Sequence, residues 1–272
     1  MNQPSPSLHN VDLADTGAQS VDRALLLLSL IGASGDQGAT LAGLVAGTGL
    51  NKATVRRLAL ALIRAGMAEQ DAGSRYYLGA QMQVLGAQAA RRPGLIAAAS
   101  ESVMRLAQIT GDAALLSVRR GASSLCLMRE EGSYPLRSHA LVAGQTHPLG
   151  VGAGSLAMLA ALPDDEAATI LRAISPVLAD SFPALTHDRM RDLIARTRAD
   201  GVALNPGLVI EGSWGLGIAL NHPDGRLAGA LSIATVEARM RPDRLPDLTR
   251  HLRAEAARIE ARLAQPPKER QI

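Results

Sequence analysis

From about residue 20 the chain repeats one texture: an apolar residue every three or four positions, interrupted by short polar breaks rich in glycine. Ala24, Leu27, Leu28 and Ile31 recur at helical spacing and predict a helix over residues 21–30, which the Gly-, Ser- and Asp-rich stretch 32–38 ends. Thr40 is placed to cap a short helix over 41–47. A tight turn, Thr48-Gly49-Leu50-Asn51, follows, and Asn51 is placed to cap a helix over 52–65 that Gly66 terminates. Two short strands, 67–70 and 75–78, flank the turn Asp71-Ala72-Gly73-Ser74. Another helical run fills 79–92.

After Pro93 the texture changes. A helix over 101–109 ends at Gly111, and strands are predicted over 113–118, 124–129 and 136–142, the first two joined by Arg119-Arg120-Gly121-Ala122. A glycine-rich stretch, 144–154, leads into an apolar helix over 155–162. Helices follow over 164–174 and 188–199. Strands over 214–221 and 226–235 are connected by His222-Pro223-Asp224-Gly225, which is strong turn chemistry. The last helix carries Leu248, Leu252, Ile259 and Leu263 on one face and stops at Pro266-Pro267.

Composition bounds this picture. At 272 residues, two domains are expected, and 47% hydrophobic against 19% charged residues is the balance of a folded chain. Aromatic residues make up only 2%, so a base-stacking platform for single strands or RNA is excluded. The single cysteine, Cys126, rules out an internal disulfide or a cysteine-rich zinc site and fits a reducing compartment. The polar first twenty residues lack the basic and apolar regions of a signal peptide, and the apolar run 24–28 is too short to span a bilayer. A cytoplasmic protein with a disordered tail over 1–19 is expected.

The net charge of +3 is modest, but its distribution is not even. Between Asn51 and Ala65 stand Lys52, Arg56, Arg57 and Arg64, with no acid. They lie largely off the stripe Val55, Leu58, Leu62 that would pack inward. Helix, helix, tight turn, basic helix, two-stranded ribbon is the order of a winged helix-turn-helix. On such a unit Lys52 and Arg56 are expected toward bases, Thr54 and Arg57 toward phosphates, with Arg64 and the wing residue Arg75 as further DNA contacts.

The run Gly49-Leu50-Asn51-Lys52-Ala53-Thr54-Val55-Arg56-Arg57-Leu58, then Ala65-Gly66-Met67, then Tyr76-Tyr77-Leu78-Gly79, resembles the DNA-binding half of the IclR family of bacterial transcriptional regulators. The resemblance continues through Gly144-x-x-x-Pro148-Leu149, residues 201–212, and the strand 226–234, and so covers about 20–263. It implies an α+β chain with a winged helix-turn-helix over 20–79, a linker helix over 80–93, and over 94–265 a GAF-like antiparallel sheet with flanking helices and a small-molecule pocket. Residues 266–272 would be a tail. It also implies a double-stranded DNA operator, a homodimer or dimer of dimers, and small carboxylates or aromatic acids as effectors. A symmetric dimer is expected physically as well, because one short module makes few phosphate contacts.

Gly150, Gly152 and Gly154 place bare backbone just ahead of a helix, where free N–H groups and the helix dipole favour an anion. By motif position the amides of Ala153, Gly154 and Ser155 hold the effector carboxylate. Leu136, His139 and His147 line one wall and Asn205, Trp214, Gly215, Ser232 and Ala234 the other. Four positions depart from the family pattern. Gly150 replaces a usual His, Asn205 a usual acid, Gly215 stands at a position often Cys or another small residue, and Ala234 replaces the second Ser of the strand motif. The pocket is therefore expected to be larger or to read a different molecule, with His139 and His147 adding cationic or hydrogen-bonding character.

Other chemistry finds little support. The run 150–154 does not fit Gly-x-Gly-x-x-Gly, no Lys follows for a P-loop, and Gly154-Ser155-Leu156-Ala157 lacks the second glycine of a nucleophile elbow. The six histidines (9, 139, 147, 187, 222, 251) form no His-x-x-x-His pair, so neither metal nor cofactor is expected. The alternatives are an enzyme acting on a small carboxylate, which lacks any paired acid and base, and a winged helix that binds protein, against which the acid-free basic helix argues.

Overall fold

The computed structural model describes residues 18–90, 94–136 and 141–265. Residues 1–17 and 266–272 of the expected tails and His139 lie outside them, whereas Gln19, expected in the tail, opens the first helix. The chain divides into two compact units between residues 92 and 93.

In the first unit, α1 (Gln19–Ala33), α2 (Leu41–Thr48) and α3 (Lys52–Arg64) enclose a core of Leu27, Ile31, Leu44, Val55, Ala59 and Leu62. The caps act as the sequence suggests. Thr40 Oγ1 accepts from the Gly43 N–H, and Asn51 Oδ1 accepts from the Thr54 N–H. Between them Gly49 closes α2 in the left-handed conformation (φ 65°), which a residue with a Cβ adopts only at a cost. The wing is β1 (Ala68–Gln70) paired antiparallel with β2 (Tyr76–Leu78), and Ala39 bridges to Tyr76 on its open side. Tyr76 is buried in the core, which fixes the ribbon on the helices. α4 (Ala80–Ala90) follows. It contains no charged residue and exposes Val84 and Leu85.

The second unit is built on a six-stranded antiparallel sheet ordered β5-β4-β3-β8-β7-β6. Its elements are α5 (Leu95–Thr110), β3 (Ala113–Arg120), β4 (Ser123–Glu130), β5 (Thr146–Pro148), α6 (Ala153–Ala160), α7 (Asp164–Ser181), α8 (His187–Asp200), β6 (Ala203–Pro206), β7 (Ser213–Asn221), β8 (Leu227–Val236) and α9 (Leu245–Leu263). α5 and α9 cover one face, with Leu106, Leu216, Leu231, Leu252 and Ile259 in the core between them and the sheet. On the other face α6 is held between the strands and α8, and all eight of its residues are buried. A helix that is apolar all round can only exist there.

Several elements differ from the sequence reading. The expected strand over 136–142 falls largely on residues outside the described set, 137–140. Leu136, Leu141 and Val142 are outside any strand, and the described neighbour of β4 on that side is the short Thr146–Pro148. β5 and β6 were not anticipated, because three- and four-residue segments containing proline show neither alternation nor β-branched runs. α5 starts six residues before its predicted beginning, since alanine-rich sequence carries no amphipathic stripe of its own. α7 runs past Pro176, because Ile174 and Leu178 on either side of it are both buried and packing overrides the local breaker.

Candidate functional site

Two sites emerge, one in each unit. On α3 the inward positions Val55, Ala59 and Leu62 are buried, and Leu58 is half-buried against the core. Lys52, Arg56, Arg57 and Arg64 are exposed, and Thr54 is half-buried. The helix thus presents its cations on the side its own packing leaves free. Arg75 behaves differently. It is exposed, but its Nη1 donates to the carbonyls of Gln37 (2.9 Å) and Gly38 (3.2 Å), bracing the wing against the segment before α2. Its first role is positional, and with Glu69 and Asp71 beside it the wing carries no surplus of positive charge.

The second site is a cavity of about 60 Å³ between α6 and the sheet. That is several times the ~10–15 Å³ a single water needs. His147, Ala153, Gly154, Ser155, Asn205, Trp214, Gly215, Ser232 and Ala234 all line it. Leu136 does not: it is 63% exposed, and Leu141 lines the wall instead. The missing bulk at 205, 215 and 234 does not open a large chamber. Trp214 and the apolar Leu115, Val151, Val209 and Ile233 fill the walls.

The N-terminus of α6 is set into this wall by close backbone packing. A Cβ on Gly217 would lie 2.5 Å from the Ala153 carbonyl carbon and 2.6 Å from the Gly154 nitrogen, and a Cβ on Gly154 would lie 3.0 Å from Ser232 Oγ. Only bare backbone lets β7 and α6 approach so closely. Gly150 is fixed twice over: its φ is +100°, and a Cβ there would lie 2.4 Å from Met190 Cε. A histidine at 150 would be strained by that φ and would have to push the ends of the Met190 and Leu159 side chains aside. The Ser155 hydroxyl accepts from the Gly150 N–H (2.9 Å) and lies 3.3 Å from the Pro148 carbonyl it donates to. It is a clamp on the loop, not a free nucleophile. The N–H groups of Ala153, Gly154 and Ser155 have no acceptor within the helix and form the anion-favouring end.

Asn205 Oδ1 accepts from the Leu208 N–H at 3.1 Å and shapes the turn after β6. Burial holds the His147 imidazole down at about 4, so it is neutral at neutral pH and brings hydrogen bonds to the cavity, not positive charge. Burial pushes the Cys126 thiol up to about 11, and its Sγ donates to the Met128 carbonyl, which makes it an inert core residue. Among the described residues no Lys or Arg lines the cavity, and no group of His, Cys, Asp and Glu is placed to hold a metal. No described helix is long and apolar enough to cross a membrane.

The family model described as the bacterial transcriptional regulator IclR C-terminal domain matches residues 87–261, and that of the IclR helix-turn-helix domain matches residues 20–72. The chain belongs to the IclR family. It is a transcriptional regulator with a helix-turn-helix DNA-binding domain and an effector-binding C-terminal domain, and its relatives are regulators, not enzymes. It is 25% identical over 224 residues to the HTH-type transcriptional regulator KipR of Bacillus subtilis, covering 82% of this chain and 89% of KipR. An IclR regulator from Alicyclobacillus acidocaldarius has the same fold (TM-score 0.76, 23% identity, 90% of this chain and 99% of that one). So does an IclR homologue from Microbacterium hydrocarbonoxydans solved with 4-hydroxybenzoate (TM-score 0.72, 21% identity, 90% and 98%).

Sequence reasoning missed Ser117, Ser124 and Ser213 in the cavity wall of this IclR chain. A signal existed: these are serines in strands whose other residues are mostly apolar. Ser124 is 2% exposed, and its Oγ has no hydrogen-bond partner among the described residues.

The depressed imidazole of His147 sets a pH dependence. Between about 4 and the ordinary value of 6.5, the unfolded chain binds a proton there that the native chain refuses. Stability from this group is therefore complete above 6.5 and falls as pH drops toward 4, by about 3 kcal/mol in all. Urea unfolding across that window should show the loss in the wild type and a flatter curve in His147→Gln. Equal slopes in the two proteins would remove His147 from the account.

Proposed function

We propose that this IclR-family protein is a cytoplasmic, homo-oligomeric regulator that binds a specific operator through α3 and responds to a small carboxylate or aromatic acid held in the cavity at the N-terminus of α6. The observation that carries the reading is the division of labour on α3: Val55, Ala59 and Leu62 are spent on the core, and Lys52, Arg56, Arg57 and Arg64 are left to solvent with no acid among them. Such a helix fits the major groove, with its N-terminal residues at base edges and its flanks at phosphates. Lys52 and Arg56 read bases. Thr54, Arg57 and Arg64 hold phosphates. Arg75 orients the wing and adds its remaining donors. The relative solved with 4-hydroxybenzoate supports an acid as effector, and so do the unpaired amides of Ala153, Gly154 and Ser155. The chain is organised as a DNA-binding unit over 20–79, a linker over 80–93 and an effector unit over 94–265. The effector acts by favouring one arrangement of the DNA-binding units through the linker helix.

Fluorescence anisotropy with the duplex upstream of the protein's own coding region, against random competitor and at two salt concentrations, tests the reading. Arg56→Ala should cost about 1–3 kcal/mol on the operator and relax its preference over random duplex. Arg57→Ala should weaken every duplex alike and reduce the salt slope by about one. If both variants lose only specificity, the two faces of α3 are assigned wrongly. No binding even at low salt would remove the DNA role of α3.

A further inference from the structure

The free face of α3 is not wholly cationic. At about 100° per residue, Ala53, Leu60 and Arg64 fall within roughly 40° of one another on the side opposite Val55, Ala59 and Leu62, with Arg56 and Arg57 flanking them. Leu58 and Ile63 pack against the core of the unit, but Leu60 is 53% exposed. It is the large apolar side chain of α3 that the fold does not use. A lone leucine on a surface is ordinary. This one stands at the centre of a face that carries Arg56, Arg57 and Arg64 and no acid. A leucine on a helix leans toward the N-terminus, so its side chain covers the turn that holds Arg56 and Arg57.

The occupant that suits this face is a polyanion with an apolar point between its charges. In the major groove of a duplex, phosphates line the rims, and the C5-methyl of thymine is the apolar group that the base edges present. Charge complementarity therefore selects duplex DNA over an apolar protein surface, which would desolvate the guanidinium groups without pairing them. We propose that Leu60 is a specificity-determining residue that packs on the C5-methyl of a thymine in the bound site. The proposal rests on the DNA reading of α3 and adds a feature of the sequence it binds. Leu60 lies one turn beyond Arg56, about 6 Å along the helix axis, so the thymine stands within about two base pairs of the base that Arg56 reads. The two side chains select different features. Arg56 finds hydrogen-bond acceptors on a base edge, and Leu60, which can form no hydrogen bond, recognises the methyl alone.

The test starts with selection of a binding site by the full-length protein from a randomised duplex library. Anisotropy is then measured on that site with each thymine replaced in turn by deoxyuridine, which removes only the methyl. One thymine near the position that depends on Arg56 should weaken wild-type binding about fourfold on replacement, the loss expected for one buried methyl. Leu60→Ala should be indifferent to deoxyuridine at that position and should keep the preference that depends on Arg56. It should melt with the wild type and keep the same sedimentation coefficient, because the side chain adds nothing to the core. A change in assembly would make Leu60 a protein contact and overturn the proposal. Leu60→Lys should lose the thymine preference. If it instead bound every duplex tighter with a salt slope about one unit steeper, residue 60 would face phosphate and the proposal would fall. A deoxyuridine penalty that persists in Leu60→Ala overturns the role of Leu60. A selected site that depends on Arg56 but not on any thymine methyl overturns this inference and leaves the DNA reading standing. Selection of no duplex, with no binding at low salt, overturns both.

Discussion

Replacing Asp112 by alanine is expected to cost about 3–5 kcal/mol of folding stability, the penalty for breaking a buried ion pair by removing one partner. Asp112 follows the glycine that ends α5, and its side chain is 1% exposed. Oδ1 accepts from Thr235 Oγ1 (2.6 Å) and Arg239 Nε (2.7 Å), and Oδ2 pairs with Arg244 Nη2 at 2.7 Å. The two guanidinium groups also donate to the Thr110 carbonyl, and Arg239 lies 4.0 Å from the centre of the Tyr134 ring. One carboxylate therefore ties the end of α5 and the start of β3 to the end of β8 and to the segment that leads into α9. Without it, two mostly buried cations face each other across an empty site. Asp112→Asn keeps the shape and one acceptor and should lose distinctly less. Chemical unfolding of the two variants checks the order. An alanine variant within about 1 kcal/mol of wild type would show that the arginines find other partners. Because Ala234, the neighbour of Thr235, lines the cavity, loosening this knot should also weaken effector binding.

Gly217→Ala should nearly abolish effector binding and cost about 2–3 kcal/mol of stability. The added methyl would stand 2.5 Å from the Ala153 carbonyl and 2.6 Å from the Gly154 nitrogen, closer than real contacts allow. Both are backbone atoms of a helix packed on all sides, so neither can swing away as a side chain would. Relief requires α6 to move off β7, and its first turn carries the amides assigned to the carboxylate. Gly215→Ala is the graded control. Its methyl would meet the Ala153 side chain at 3.2 Å and the Ile233 carbonyl at 3.3 Å, a crowding that small shifts relieve. Titration with a bound acid should give a loss of tenfold or more for Gly217→Ala and a smaller one for Gly215→Ala. Equal losses would mean that the spacing of α6 and β7 does not set the site.

The first unit was legible almost residue by residue. Thr40 and Asn51 announce their helices because a capping hydroxyl or carbonyl satisfies N–H groups a few residues away. The stripe of α3 and its cations lie within four turns of one another. Arg75 was the exception. Its partners, the carbonyls of Gln37 and Gly38, are nearly forty residues back, and the sequence records charge but not what the charge touches. In the second unit the glycines of 150–154 and the motif positions pointed to residues that do gather at one cavity. Leu136 did not join them, and the described neighbour of β4 on that side is Thr146–Pro148.

Local chemistry thus determined the helices with caps, the hairpin at 222–225, the two-unit division and the concentration of positive charge on α3, because each depends on groups within one or two turns of chain. The tertiary structure alone decided which strand closes the sheet beside β4, that Asp112 meets Thr235, Arg239 and Arg244, that burial keeps His147 neutral, and that Ser124 stands unpaired beside it. Those facts depend on desolvation and on partners brought together from more than a hundred residues apart, and neither quantity exists until the chain is packed.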